Sequence, residues 1–241
     1  MQDLPIYPEK REAPEYALER RLGRLQERPE ETYRAALDAL RLRCARETLR
    51  LTGARSEAED ATSELVKAQL EALEVIETAA AQAGDPDVAL IRKVHRIASP
   101  GSDGSFRSSG IEPHFKNARP SPPEFIGAKL DNLLDWLSGV SGREMFCAAR
   151  MSLWFARFVE IAPFERGNFR TAHLFTGFFA VSAGFPPISL ALEDADAVRS
   201  EIERAIRFDT AGLVTRFSGA LSHALRECEE AAERATATAT G

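Results

Sequence analysis

The chain of 241 residues is 44% hydrophobic and 28% charged, with a formal net charge of −6. That is enough apolar material for a core without a disulfide or metal staple, and the acidic balance argues against a nucleic-acid binder acting through bulk charge. Cys44, Cys147 and Cys228 are far apart and form no CxxC or Cys/His cluster, so neither structural zinc nor a disulfide framework is expected, and a reducing cytoplasm is the simplest compartment. The opening MQDLPIYPEKREAPEY lacks the apolar stretch of a secretory signal. No apolar run reaches the roughly 18–20 uncharged residues that a bilayer requires; Arg150 and Arg157 interrupt the longest candidate.

In chain order the pattern is one of helices. Residues 28–51, RPEETYRAALDALRLRCARETLRL, open with Pro29 and two glutamates, which suit a first helical turn. Tyr33, Ala36, Leu40 and Cys44 then recur at helical spacing. A capping box, Ser56 and Glu59, starts the next helix, which ends at Gly84 and Pro86. A third is expected after Asp85 as cap. Residues 99–124 are rich in Gly, Ser and Pro and have no helical period. They read as a flexible linker or, because Phe106, Ile111 and Phe115 are apolar, as a short irregular hairpin on the surface. Ser121 and Glu124 form a second capping box, with Pro122 just inside, and lead into EFIGAKLDNLLDWLSG; Ser141 and Glu144 form a third. Two densely apolar helices, residues 143–161 and 168–183, are expected side by side, joined by a loop at 162–167. The second stops at AGFPP. EDADAVRSEIERAIRF and TAGLVTRFSGALSHALRECEEAAERA follow, and the tail TATATG, residues 236–241, is expected to fray. Trp136 and Trp154 read as core. The fold class is all-α with one small hairpin, and residues 1–84 form an N-terminal helical region packing on the core.

The segment EIAPFERGNFRTAH, residues 160–173, places Glu165, Arg166, Asn168 and Arg170 between the two most apolar stretches. Charged side chains are rarely buried unless paired or liganded, so this loop either surfaces or lines a polar site. Gly167 and Asn168 sit where a new helix begins. Amides at such a start, backed by the helix dipole, attract anions, and glycine lets a phosphate come close to the backbone. Arg170 can grip a phosphate with two donors. Glu165 can hold a divalent cation that bridges phosphates. Together they read as a di- or triphosphate cradle; a helix start with solvated charges is the competing reading.

APFERGNFRTAH, residues 162–173, resembles the Fic motif, H-P-F-x-D/E-G-N-G-R-x-x-R. IRKVHRIAS, GSFRSSGIEP, PSPPEFIGAKLDNLLDWLSG and SAGFPPISLAL fall in the order and at roughly the spacing of a Fic core. The resemblance spans about residues 88–230. It implies an all-α Fic-domain helical bundle over residues 85–235, with a β-hairpin flap at about 104–119 beside the active site. It also implies Mg²⁺ and ATP or another nucleotide, with AMP passed to a hydroxyl of a target protein. Pro163 and Phe164 match the residues that shape the loop, and Glu165 matches the metal-binding acid. Gly167 and Asn168 match the phosphate nest, and Phe169 stands where the nest has its second glycine. Arg170 matches the first arginine, which holds the outer phosphates, and His173 stands at the second. Phe106 and Arg107 match the flap edge that aligns the target.

The departures from the motif matter as much. Ala162 occupies the place of the catalytic histidine, and general-base help is worth about 10²–10⁴ in rate. Ordinary protein AMPylation is therefore expected to be absent or altered. The bulky Phe169 is expected to crowd or re-aim the cradle. The family's second arginine pairs with a glutamate of an inhibitory helix marked S/T-x-x-x-E-G/N. The best match here, TLRLTG, runs from Thr48 to Gly53 with Thr52 at the glutamate, so both halves of that ion pair are absent; a plain packing helix is the alternative. His114 and His173 are candidate substitute bases, His95 reads as structural and His223 as solvated. The sequence thus supports a Fic-type transferase moving AMP or a related phosphate-containing moiety to a hydroxyl or amine. The alternatives are a Fic-fold pseudoenzyme acting as a nucleotide- or protein-binding module and, last, an antitoxin-like or purely structural helical module. The expected partners are a nucleotide and a protein or small-molecule acceptor, not nucleic acid or membrane, with homodimerisation left open.

Overall fold

The computed structural model describes residues 14–51, 53–54, 58, 60, 63–82, 84–113, 115, 118–190 and 195–240. All regular structure among them is helical: α1 (Pro14–Gln26), α2 (Arg34–Leu51), α3 (Glu64–Ala81), α4 (Val88–Ala98), α5 (Ile126–Ser138), the single turn α6 (Val140–Glu144), α7 (Cys147–Ile161), α8 (Asn168–Ser182), α9 (Ala195–Ile206) and α10 (Ala211–Thr240). No described helix is long and apolar enough to cross a membrane.

Helix α8 is the axis of the bundle. Every residue from Thr171 to Ala180 is buried, so the helix has no polar face, as expected of one covered on all sides. Helices α2, α3, α4 and α7 pack around it. Helix α10 covers α2 and α7, α9 joins α7 to α10, and α1 lies on α10. The Trp154 side chain, fully buried, meets Phe158 and Phe175 at 4.8 and 4.7 Å between ring centroids. Its indole N–H reaches the Ala172 carbonyl at 3.1 Å. Trp136 is not core: it is 46% exposed. On α5 the buried arc is Ile126, Leu130, Leu133, Leu134 and Leu137, and position 136 falls outside that arc at 100° per residue.

Several helix starts differ from the capping signals. Asp87, not Asp85, caps α4, accepting from the Leu90 amide at 2.7 Å; Asp85 is turned outward to Arg143 at 2.7 Å. Ser63 caps α3, and the pair Ser56 and Glu59 lies outside the described residues. Ser121 caps nothing: it is buried, and its carbonyl and amide serve the neighbouring segment. Ser141 sits inside α6, because the extended backbone at Met145 and Phe146 interrupts the run and α7 starts only at Cys147. At the other end α10 runs on to Thr240, where the Thr236 and Thr238 hydroxyls donate back to the Ala232 and Arg234 carbonyls at 2.9 Å each.

The hairpin expected at 104–119 is corrected: the described residues of that segment contain no strand. Two physical reasons are visible. Pro113 and Pro120 supply no amide to a ladder. The carbonyls of Ser109 and Ser121 are instead taken by the guanidinium of Arg107.

Helix α2 is fastened to α8 by a buried polar contact. The Thr48 hydroxyl donates to the Cys44 carbonyl at 2.6 Å and lies 2.8 Å from His173 Nδ1. The hydroxyl has one proton, so Nδ1–H is the donor in the second contact. Thr48→Val strips His173 of this acceptor and is expected to lower stability by about 1–3 kcal/mol, read from the urea-unfolding midpoint.

Candidate functional site

The site begins where α7 ends. Ala162 closes that helix, its amide donating to the Phe158 carbonyl at 2.9 Å, and its backbone is left-handed, with φ 48° and ψ 64°. For a residue with a Cβ this conformation costs about 1–2 kcal/mol. Arg107 holds it in place. Its Nε donates to the Ala162 carbonyl at 2.7 Å, and its amide donates to the Pro163 carbonyl at 3.0 Å. The guanidinium also reaches the carbonyls of Ile161, Ser109 and Ser121. Arg107 is 3% exposed, and burial lowers its pKa, though an arginine stays charged. Its side chain is therefore an internal clamp and does not form the target-facing edge expected from the sequence. Phe106 is half-buried, 5.6 Å from the Phe164 ring and 5.6 Å beneath the Arg92 guanidinium.

The loop itself is rigidly packed. Phe164 lies flat on His95, 3.6 Å between ring centroids and 5° between planes. Asn168 closes the turn with its amide group: Oδ1 accepts from the Phe164 amide at 2.8 Å and Nδ2 donates to the Phe164 carbonyl at 2.7 Å. Its side chain thus shapes the loop. Gly167 has φ 74°, and a Cβ there would sit 2.7 Å from Ser99 Oγ and 3.1 Å from the His95 ring. Both facts require glycine. The Thr171 hydroxyl donates to the Gly167 carbonyl at 3.1 Å and stands 3.0 Å from His95 Nδ1, which is therefore the protonated ring nitrogen. Burial, and then the charge of Arg170, push the His95 pKa down to about 4.

Helix α8 starts at this glycine. In its first turn the Phe169 ring packs edge-on to Phe155 at 5.1 Å and 6.2 Å from Phe115, bridging α7 and the irregular segment. Arg170 Nη1 donates to the Ala98 carbonyl at the end of α4, at 2.9 Å, and burial lowers its pKa. Glu165 and Arg166 are exposed on the loop. Among the described residues no group of three His, Cys, Asp or Glu could hold a metal. The donor set on this loop is one carboxylate, which suits Mg²⁺ held jointly with phosphate oxygens and water.

Ala162, Glu165, Gly167, Asn168, Phe169 and Arg170 thus share one loop and helix start, with Phe106 alongside. His173 does not join them. It is 2% exposed; Nδ1 faces Thr48 and Nε2 accepts from the Leu190 amide at 3.3 Å, and burial pushes its pKa down to about 4. It belongs to the α2 side of the core and cannot meet a phosphate in this arrangement. Thr52 and His114 lie outside the described residues. Gly53, with φ 86°, serves as the stop of α2: the Gly53 and Ala54 amides return to the Arg50 and Leu49 carbonyls. His223 on α10 is half exposed and contacts Glu227 at 3.0 Å. The sequence reading passed over Gln69 and Thr171. Gln69 had a usable signal: it occupies the apolar stripe Val66, Leu73, Ile76 and Ala80 of α3, where a polar residue needs a buried partner.

Residues 85–180 match the Fic/DOC family. The chain contains a Fic-family domain. Protein adenylyltransferase fic-1 of Caenorhabditis briggsae is 30% identical over 102 residues, covering 42% of this chain and 20% of that protein. The match therefore spans about a fifth of that relative's length. A Fic domain containing signaling protein from Bacteroides thetaiotaomicron superposes with a TM-score of 0.78 at 21% identity, over 92% of this chain and 98% of that one. Fic-1 of Caenorhabditis elegans gives 0.76 at 18% identity, over 90% and 71%. At these identities the two structures establish the fold.

Two outcomes follow for the Fic loop. Ala162→Gly relieves the left-handed strain and is expected to raise stability by about 1 kcal/mol in chemical denaturation. His95 and His173 have pKa values near 4 against the ordinary 6.5, so between these values the unfolded chain binds more protons. Their contribution to stability is complete above about pH 6.5 and is lost as pH falls toward 4. Unfolding midpoints measured from pH 7 to 5 should show that slope, and His173→Gln should reduce it.

Proposed function

We propose that the chain is a Fic-type nucleotide-handling domain whose phosphate cradle persists and whose general base is gone. The observation that carries this is the contrast within one loop. Gly167, in a left-handed turn, opens the 15-residue α8 beside an exposed Glu165, while the place of the base is an alanine. The helix dipole and first-turn amides, with the charge of Arg170, favour the phosphates of a nucleotide. Glu165 would hold Mg²⁺, whose charge, when bound, offsets that of the phosphates. Residues 85–235 form the domain in this proposal, with residues 1–84 as an accessory helical region.

In ordinary AMP transfer an acceptor oxygen attacks the α-phosphorus, pyrophosphate leaves, and the acceptor's proton must go to a base. Ala162 cannot take it. His95 and His173 are buried, neutral and hydrogen-bonded, and His223 on α10 contacts Glu227. Among these described histidines a hydroxyl acceptor finds no base beside position 162, whereas an amine that is already deprotonated needs less. The shortage of a base also favours a second reading, a pseudoenzyme that binds a nucleotide or a protein and does no chemistry.

Ala162→His tests the first reading directly, because histidine is among the residues that tolerate a left-handed backbone. With Mg²⁺ and labelled ATP in a lysate, this variant is expected to transfer label to protein about 10²–10⁴ faster than the parent. Adding Glu165→Ala or Arg170→Ala should abolish the gain, and adding Phe169→Gly should increase it. No transfer by Ala162→His/Phe169→Gly, with nucleotide binding retained, would leave the pseudoenzyme. Loss of both would remove the nucleotide reading altogether.

A further inference from the structure

The carbonyl that holds Arg170 has a second donor. Gln69, fully buried on α3, gives its Nε2 to the Ala98 carbonyl at 2.9 Å and to the Leu65 carbonyl at 3.2 Å. Arg170 Nη1 approaches the same Ala98 oxygen at 2.9 Å. A carbonyl oxygen has two lone pairs, and here one is met from α3 and the other from α8. Ala98 is the last residue of α4 and is fully buried. Its carbonyl belongs to a helix end, where no intrahelical amide follows, and the dipole there attracts a cation.

We propose that Gln69 is a positioning residue for Arg170: it keeps the Ala98 carbonyl satisfied when the guanidinium turns from that oxygen to a phosphate. This rests on the nucleotide reading above. Without Gln69, turning Arg170 Nη1 from the Ala98 oxygen to a phosphate leaves a buried carbonyl bare. Arg170 is then held back, and ligand binding bears the difference. Helix α3 lies before residues 85–180, the segment that matches the family, so the accessory region sets the affinity of the cradle from behind.

The test uses the full chain and calorimetry with MgATP and, separately, with AMP, which lacks the outer phosphates assigned to Arg170. Gln69→Met keeps length and volume but removes the donor. It is expected to weaken MgATP binding roughly tenfold, the scale of one uncompensated buried polar group, with AMP affinity unchanged. Gln69→Glu is nearly isosteric, cannot donate when ionised, and adds a charge that detains Arg170; its loss should be at least as large. One folded variant, judged by circular dichroism and melting, suffices. Equal MgATP affinity in parent and variant would overturn the assignment, and so would a parallel loss for MgATP and AMP, which marks general damage to the fold. If the parent binds neither ligand, the nucleotide reading fails and this inference fails with it.

Discussion

The architecture depends on two helix ends meeting without a spacer. The carboxyl end of α4 abuts the amino end of α8, and the seam is the stack of His95 on Phe164, 3.6 Å apart, with Gly167 pressed against Ser99 and the same imidazole. A negative helix end thereby faces a positive one. Arg170 and Thr171 tie across the seam, to the Ala98 carbonyl and to His95. Any side chain at position 167 would push the ends apart, and the loop from 162 to 167 would lose its floor.

The described residues of the opposite wall have no regular structure and are organised by one charge. The Arg107 guanidinium brings together carbonyls from the end of α7 and from both arms of the irregular segment. A buried cation is tolerable only where its donors are met, and here they are met by backbone oxygens that a strand ladder would otherwise have used. The same interaction fixes the left-handed turn at Ala162. The shape of the loop is thus imposed from outside and does not depend on which side chain position 162 carries.

Much of this was readable in the residues, for identifiable reasons. The apolar spacing located the helices on either side of the loop, and Gly167 marked the start of the second one. Helix α1 escaped the reading because only Leu18, Leu22 and Leu25 form its buried row in an otherwise charged stretch. The hairpin was misread because apolar residues at 106, 111 and 115 suggest a packed segment without showing whether strands or a buried arginine organise it. His173 was misplaced for a similar reason. It stands three residues after Arg170, but α8 is buried on every side, so periodicity gives no clue to which neighbour a side chain meets. Gln69 was legible as an anomaly in an apolar row, though its partners were not.

The contact between Thr48 and His173 also determines what the surrounding solution can do to it. An ion pair at this junction would be weakened by dissolved salt, since mobile ions screen charges. The partners here are an alcohol and an imidazole kept neutral by burial. Ionic strength has no charge to act on at this point, so dilute buffer and concentrated brine alike leave this one fastening of α2 to α8 as it is.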